Sequence, residues 1–218
     1  MKRIIFGIGT GRCGTQSLAA LLNEQPDVKY VSHEYGRTWT SWRANPIFMY
    51  RIISNLLARP GAIVGDVSFY HLPNIETILK LEDRDIKRNV EFKVICLKRD
   101  KDLVVRSFMK ATKSERGEFN HWTSRKSQHW ENGDYDDYGQ WDPMYPKYDL
   151  PKEDAINKYY DDYYVIASKL QKLFPDKFRI FDTVRVLNYD ADQVAMLRFA
   201  GFDKFNIKLD IKKNVQFK

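Results

Sequence analysis

Apolar residues along this chain fall into two alternating rhythms. Short, largely uninterrupted apolar runs at 4–8, 28–31, 62–67, 92–97 and 178–181 predict strands buried on both faces. Between them apolar positions recur at helical spacing: Leu18, Leu21 and Leu22; Ile52, Ile53, Leu56 and Leu57; Ile75, Ile78 and Leu79; then Leu103, Val104, Phe108 and Met109. A longer helical series follows at Ile156, Tyr159, Tyr160, Tyr163, Ile166, Leu170 and Leu173. Strands alternating with helices predict an α/β fold, a mostly parallel central sheet flanked by helices. In such sheets ligands sit beyond the C-terminal ends of the strands, so chemistry is sought in the segments that leave them. One domain over 1–218 is expected, with 111–151 as the exception to regularity. That segment is polar, aromatic and turn-rich, too long for a passive connection, and is read as an acceptor-binding lid.

The first strand runs into Gly7-Ile8-Gly9-Thr10-Gly11-Arg12-Cys13-Gly14-Thr15 and then an amphipathic helix. Glycines admit tight and left-handed backbone, so successive N–H groups can converge on one oxyanion at the positive end of a helix. A phosphorylated ligand is implied. Residues 9–14 spell the dinucleotide pattern GxGxxG, but Leu18 stands where close helix packing wants a small residue, and Glu34 lies in a polar segment. Gly9 and Gly14 also bracket four residues as in a P-loop, yet Thr15-Gln16 replaces the Lys and hydroxyl pair that clamps ATP and magnesium. A phosphatase thiolate at Cys13 would need an arginine six residues on, and that position is Ala19.

A second motif narrows the choice. The strand ending at Leu97 leads through Lys98-Arg99-Asp100 into a helix that carries Arg106 and Ser107. Here the chain resembles the PAPS-dependent sulfotransferases, whose donor is an adenosine bearing a 3′-phosphate and a 5′-phosphosulfate. In that family an arginine at a strand end and a serine eight residues later bind the 3′-phosphate, and Arg99 and Ser107 have that spacing. Arg12-Cys13-Gly14-Thr15 resembles the family's 5′-phosphosulfate loop. The resemblance implies the P-loop-like sulfotransferase fold, with PAPS as co-substrate, PAP as product and no metal. It implies a donor site of Gly11, Arg12, Cys13, Gly14, Thr15, Gln16, Arg99 and Ser107. Gly65 to Tyr70 and the Ala200-Gly201-Phe202 ending also look like family segments. One departure is Val67, near which many members of that family carry a lysine; it shifts leaving-group stabilisation toward Arg12 or toward a lysine elsewhere in the chain.

Sulfuryl transfer needs a base for the acceptor's proton. Glu34 is the first candidate and His33 the second, because Ser32-His33-Glu34 follows the second predicted strand and opens on the same edge. In the tyrosylprotein branch of the family a glutamate after that strand is the base, and residues 26–37 look similar. Pairing of Glu34 with Arg37 or Arg43 is the plainer reading. Asp66 ends an apolar strand as a kinase magnesium ligand would, which keeps a nucleotide kinase as an alternative, beside a non-catalytic dinucleotide or nucleic-acid binder.

Bulk properties set the remaining bounds. The 218 residues carry a net charge of +7, which suits an anionic ligand. Basic residues crowd 93–126, whereas 131–162 is dominated by Asp and Glu, which argues against a nucleic-acid groove. Two cysteines and four scattered histidines suggest neither a disulfide framework nor a metal site. Apolar runs are too short to span a membrane, and Met1-Lys2-Arg3 enters the first strand without room for a leader, so a cytoplasmic enzyme is expected. Trp39, Trp42, Trp122, Trp130 and Trp141 lie outside the predicted strands, the last three near Tyr135, Tyr138, Tyr145 and Tyr148. Such aromatic faces suit a small-molecule phenol, a carbohydrate or a peptide tyrosine as acceptor, and core packing equally.

Overall fold

The computed structural model describes residues 2–34, 42–81, 90–114, 117–118, 120–123, 144–209 and 211. Five strands form one parallel sheet: β1 (Lys2–Ile8), β2 (Val28–His33), β3 (Ile63–Val67), β4 (Val90–Lys98) and, late in the chain, β7 (Phe178–Asp182). A two-stranded antiparallel ribbon, β5 (Lys113–Ser114) with β6 (Gly117–Glu118), stands apart. All five predicted strands are present and the sheet is α/β, all parallel rather than mostly so. The second strand runs two residues further than predicted, so that Ser32 and His33 are its last positions and Glu34 its exit.

The sheet order is β2-β3-β1-β4-β7. The chain steps outward from β1 to β2, then back across the sheet, and right-handed crossovers therefore put the first helix on one face and the later ones on the other. The first is α1 (Thr15–Asn23); opposite it lie α2 (Pro46–Ala58), α3 (Leu72–Leu81), α4 (Lys101–Ala111) and α5 (Lys152–Leu173), with α2 packed on α3, α3 on α5 and α5 on α4. Two helices that the apolar spacing does not announce, α6 (Thr183–Asn188) and α7 (Asp190–Phe199), follow β7. In α7 the inward face is only Gln193, Met196 and Leu197, too short a stripe to stand out. Gln193 is fully buried because its amide bonds the Val186 carbonyl and both backbone groups of Lys208, tying down the chain's return.

β1 and β4 are neighbours in register, Ile8 opposite Cys96, and their exits lead in opposite directions. That makes their C-terminal ends the switch point of the sheet. Gly9–Thr15 and Arg99 leave the sheet side by side there.

Asp66 has a different place. Its carboxylate is wholly buried in β3, accepting from Ser32 Oγ at 2.6 Å, Ser68 Oγ at 2.5 Å and His71 Nε2 at 2.6 Å. Burial alone would raise its pKa, but these bonds and the His71 charge outweigh it and hold the carboxyl below its usual range. The kinase alternative would offer this group to magnesium at the sheet edge; it is instead taken up inside the core. Asp66→Asn accordingly costs about 3 kcal/mol, the scale for opening a buried pair, read as a lower urea midpoint. A loss of nucleotide binding without loss of stability would restore the metal-ligand reading.

Candidate functional site

The turn between β1 and α1 is built from left-handed residues. Gly11 (φ 81°), Arg12 (φ 54°) and Gly14 (φ 98°) all have positive φ. At Gly14 a Cβ would also meet Thr183 Cγ2 at 2.8 Å, so only glycine fits both the angle and the space. Arg12 adopts a conformation that costs a non-glycine residue energy, which marks the turn as held by its surroundings. Three neighbours hold it. Tyr159 donates to the Thr10 carbonyl at 2.9 Å, Thr183 to the Cys13 carbonyl at 2.9 Å, and Arg99 Nη1 to the Arg12 carbonyl at 3.1 Å.

With its carbonyls engaged, the turn aims its amides the other way. Gly14 caps α1 without any side-chain hydrogen bond, and the first turn carries no acidic residue. The N–H groups of Thr15 and Gln16 are thus offered to an anion at the positive end of the helix. Arg12 Nε donates to Ser107 Oγ at 3.1 Å, which closes the circle. Arg12, Arg99 and Ser107, separated by up to 95 positions in the chain, meet in one cluster. Arg106 and Lys98 point outward and are exposed.

Cys13 is fully buried, its thiol pushed up to about 11 chiefly by burial, against hydrogen bonds that lower it. It is protonated at neutral pH, which fits a packing residue of the loop rather than a nucleophile. Val67 is sealed between strands against Gly7. Gln16 is partly exposed on the first turn of α1.

The two candidate bases stand at the exit of β2. His33 Nε2 lies 3.1 Å from Thr15 Oγ1, and its Nδ1 lies 3.7 Å from Glu34 Oε2. Glu34 also has a left-handed backbone (φ 57°), fixed by its N–H bonding the Val67 carbonyl at 3.0 Å. Such a residue departs from the strand's alternation, turning its side chain away from the face that pleating would choose. Its charge is felt at Tyr145, as is that of Arg12. Arg37 lies outside the described residues, as do Trp39, Trp130, Trp141, Tyr135, Tyr138 and most of the expected lid.

Within 111–151, Thr112, His121, Trp122, Met144 and Tyr145 are buried. Trp122 is fully buried against Phe108, Tyr145 and Tyr159, and the Tyr148 N–H bonds the Trp122 carbonyl at 2.7 Å. Trp42 lies on Tyr159 and Tyr163. These tryptophans follow the core-packing reading.

What the pattern of the sequence did not expose is a row of tyrosines on α5. Tyr159, Tyr160, Tyr163 and Tyr164 count as apolar positions, yet every hydroxyl bonds backbone at the switch point. Tyr160 donates to the Arg99 carbonyl at 2.7 Å and Tyr164 to Leu97 at 2.7 Å. Tyr163 accepts from the Gly9 N–H at 2.9 Å and donates to Phe69 at 3.2 Å. The Tyr-Tyr-Asp-Asp-Tyr-Tyr run was the available signal: buried phenols on a helix need acceptors, and irregular backbone supplies them.

Comparison with known proteins separates sequence from fold. No protein-family model matches the chain, and no curated protein matches it. Solved structures do match. A sulfotransferase from Alicyclobacillus acidocaldarius superposes with a TM-score of 0.56 at 15% identity, covering 99% of this chain and 87% of that one. The fold is sulfotransferase-like. A mouse sulfotransferase, SULT7A1 complexed with PAP, shares this sulfotransferase-like fold with a TM-score of 0.51 at 11% identity, over 94% of this chain; the match spans 61% of the mouse chain. Among the described residues no helix is long and apolar enough to cross a membrane, and no group of three or more His, Cys, Asp or Glu residues is placed to hold a metal ion.

Proposed function

We propose that this chain is a PAPS-dependent sulfotransferase domain, acting in the cytoplasm, that moves a sulfuryl group to a hydroxyl or amine of a small molecule, carbohydrate or peptide. The observation that carries the reading is the convergence of Arg12, Arg99 and Ser107 beside the uncapped N-terminus of α1. Two cations and a row of amides around one turn suit a ligand with two phosphates better than one with a single phosphate. The fold supports it, since one structural neighbour is a sulfotransferase complexed with PAP.

PAPS supplies an activated sulfuryl group; the work assigned to the protein is to hold it and manage charge and proton. The amides of Cys13 to Gln16 receive the 5′-phosphate, where charge develops as the group leaves, and Arg12 neutralises that charge. Gly11 and Gly14 give the backbone its approach. Arg99 and Ser107 take the 3′-phosphate, for which Ser107 exchanges its bond to Arg12. Glu34 accepts the acceptor's proton, and His33, held by Thr15, keeps that carboxylate in place. Glu34 is preferred over His33 because its left-handed backbone turns it out of the strand, while the His33 ring is already engaged.

The test is a thermal-shift panel of PAP, AMP, magnesium-ATP and NADP, followed by transfer from radiolabelled PAPS to phenol, sugar and tyrosyl-peptide acceptors. A ligand at ~100 times its dissociation constant stabilises by ~2.7 kcal/mol. PAP is expected to give the large shift. Equal shifts with PAP and AMP, or a larger one with magnesium-ATP, overturn the assignment.

A further inference from the structure

Tyr145 arrives from the far end of the irregular segment, yet its hydroxyl stands over the anion loop. A methyl group placed on Gly11 would lie 3.7 Å from the Tyr145 oxygen. The ring is wedged among Phe69 at 4.7 Å, Trp122 at 4.7 Å, Tyr159 at 5.4 Å and His121 at 5.5 Å, leaving 6% of the residue exposed. Four aromatic contacts fix the phenol's direction, so its oxygen cannot swing away from the loop.

A buried phenol ordinarily finds a hydrogen-bond partner. Tyr159, Tyr160, Tyr163 and Tyr164 all do so at this same switch point. The Tyr145 hydroxyl makes no hydrogen bond with any described residue; the charges of Glu34 and Arg12 reach it only through space. It is a donor on a buried, rigid ring, placed beside Gly11 of the turn.

We propose that Tyr145 belongs to the donor site, its hydroxyl donating a hydrogen bond to a sulfuryl oxygen seated at Gly11 and Arg12. The inference rests on the sulfotransferase reading and adds to it a contact specific to the transferred group. The donor role is secure against titration, because burial foremost, and Glu34 after it, push the phenol far above its usual range. An un-ionised phenol can bond a sulfonate oxygen without adding charge.

The experiment is Tyr145→Phe, which keeps the ring stack and removes only the oxygen. Because that oxygen bonds no described residue, the melting temperature should not fall. Calorimetric titration should show PAPS weakened about 10-fold, the worth of a hydrogen bond to a charged group, with PAP, which lacks the sulfuryl group, held within about twofold. PAPS and PAP weakened equally, or neither weakened, overturns the inference. Inorganic sulfate serves as a probe independent of the nucleotide and should stabilise wild type more than the variant. If wild type binds neither PAP nor PAPS, the sulfotransferase reading fails, and the sulfate comparison still decides Tyr145: equal sulfate shifts in the two proteins reject its role.

Discussion

Arg12→Ala lowers kcat/KM for sulfuryl transfer by about 10³-fold, the scale on which removal of one preorganised charge-stabilising donor is felt. The expected loss falls on kcat more than on ground-state binding, because the charge that Arg12 meets grows as the sulfuryl group departs. Two features of the structure make this position decisive. Val67 is apolar and buried, which under the proposed function leaves the cationic role in the loop to Arg12. Its left-handed backbone is held through its own carbonyl by Arg99, so the guanidinium starts from a fixed point. Alanine accepts the same φ at about the same cost as arginine, so the turn should survive. Steady-state kinetics with the acceptor identified by the panel checks it, with PAP titration as control. A variant that keeps wild-type kcat would move leaving-group stabilisation to another cation.

Glu34→Gln should leave PAP affinity unchanged and reduce kcat by roughly 10³-fold, within the usual range for loss of a general base. Glutamine keeps the size of the side chain and its hydrogen-bonding reach but cannot take a proton. The variant also separates the two candidates at the exit of β2. If Glu34 is the base, His33→Ala acts only through orientation and costs far less. Were Glu34→Gln to turn over at the wild-type rate while His33→Ala did not, the base would be His33, with Nε2 released from Thr15 on acceptor binding.

Much of this architecture was legible in the chain. Strands that alternate with helices leave a parallel sheet as the solution, because each crossover must bury an apolar stripe against it. All five strands and the helices α1 to α5 follow from apolar spacing alone. α6 and α7 do not, since a helix with three inward residues at the rim of the core has little pattern to show. The tight turn between β1 and α1 was legible too, because its glycines mark positions that need left-handed backbone. Asp66 illustrates the limit. A carboxylate at a strand end reads as a ligand, and only the approach of Ser32 from β2 and His71 from the following turn shows that it is consumed internally.

The sequence by itself determined the alternation of elements and the glycine-rich turn, because both rest on local spacing and side-chain chemistry; Arg12, Arg99 and Ser107 stood out through the resemblance to sulfotransferases. Tertiary structure decided that β1 lies beside β4, that Arg12 reaches Ser107 across 95 positions, and that Tyr145 stands over Gly11. Strand order is set by the sum of many weak packing and crossover preferences, none of which is written at any one residue. The same holds for the α5 tyrosines, whose rings obey the helix but whose hydroxyls answer to backbone folded from distant parts of the chain.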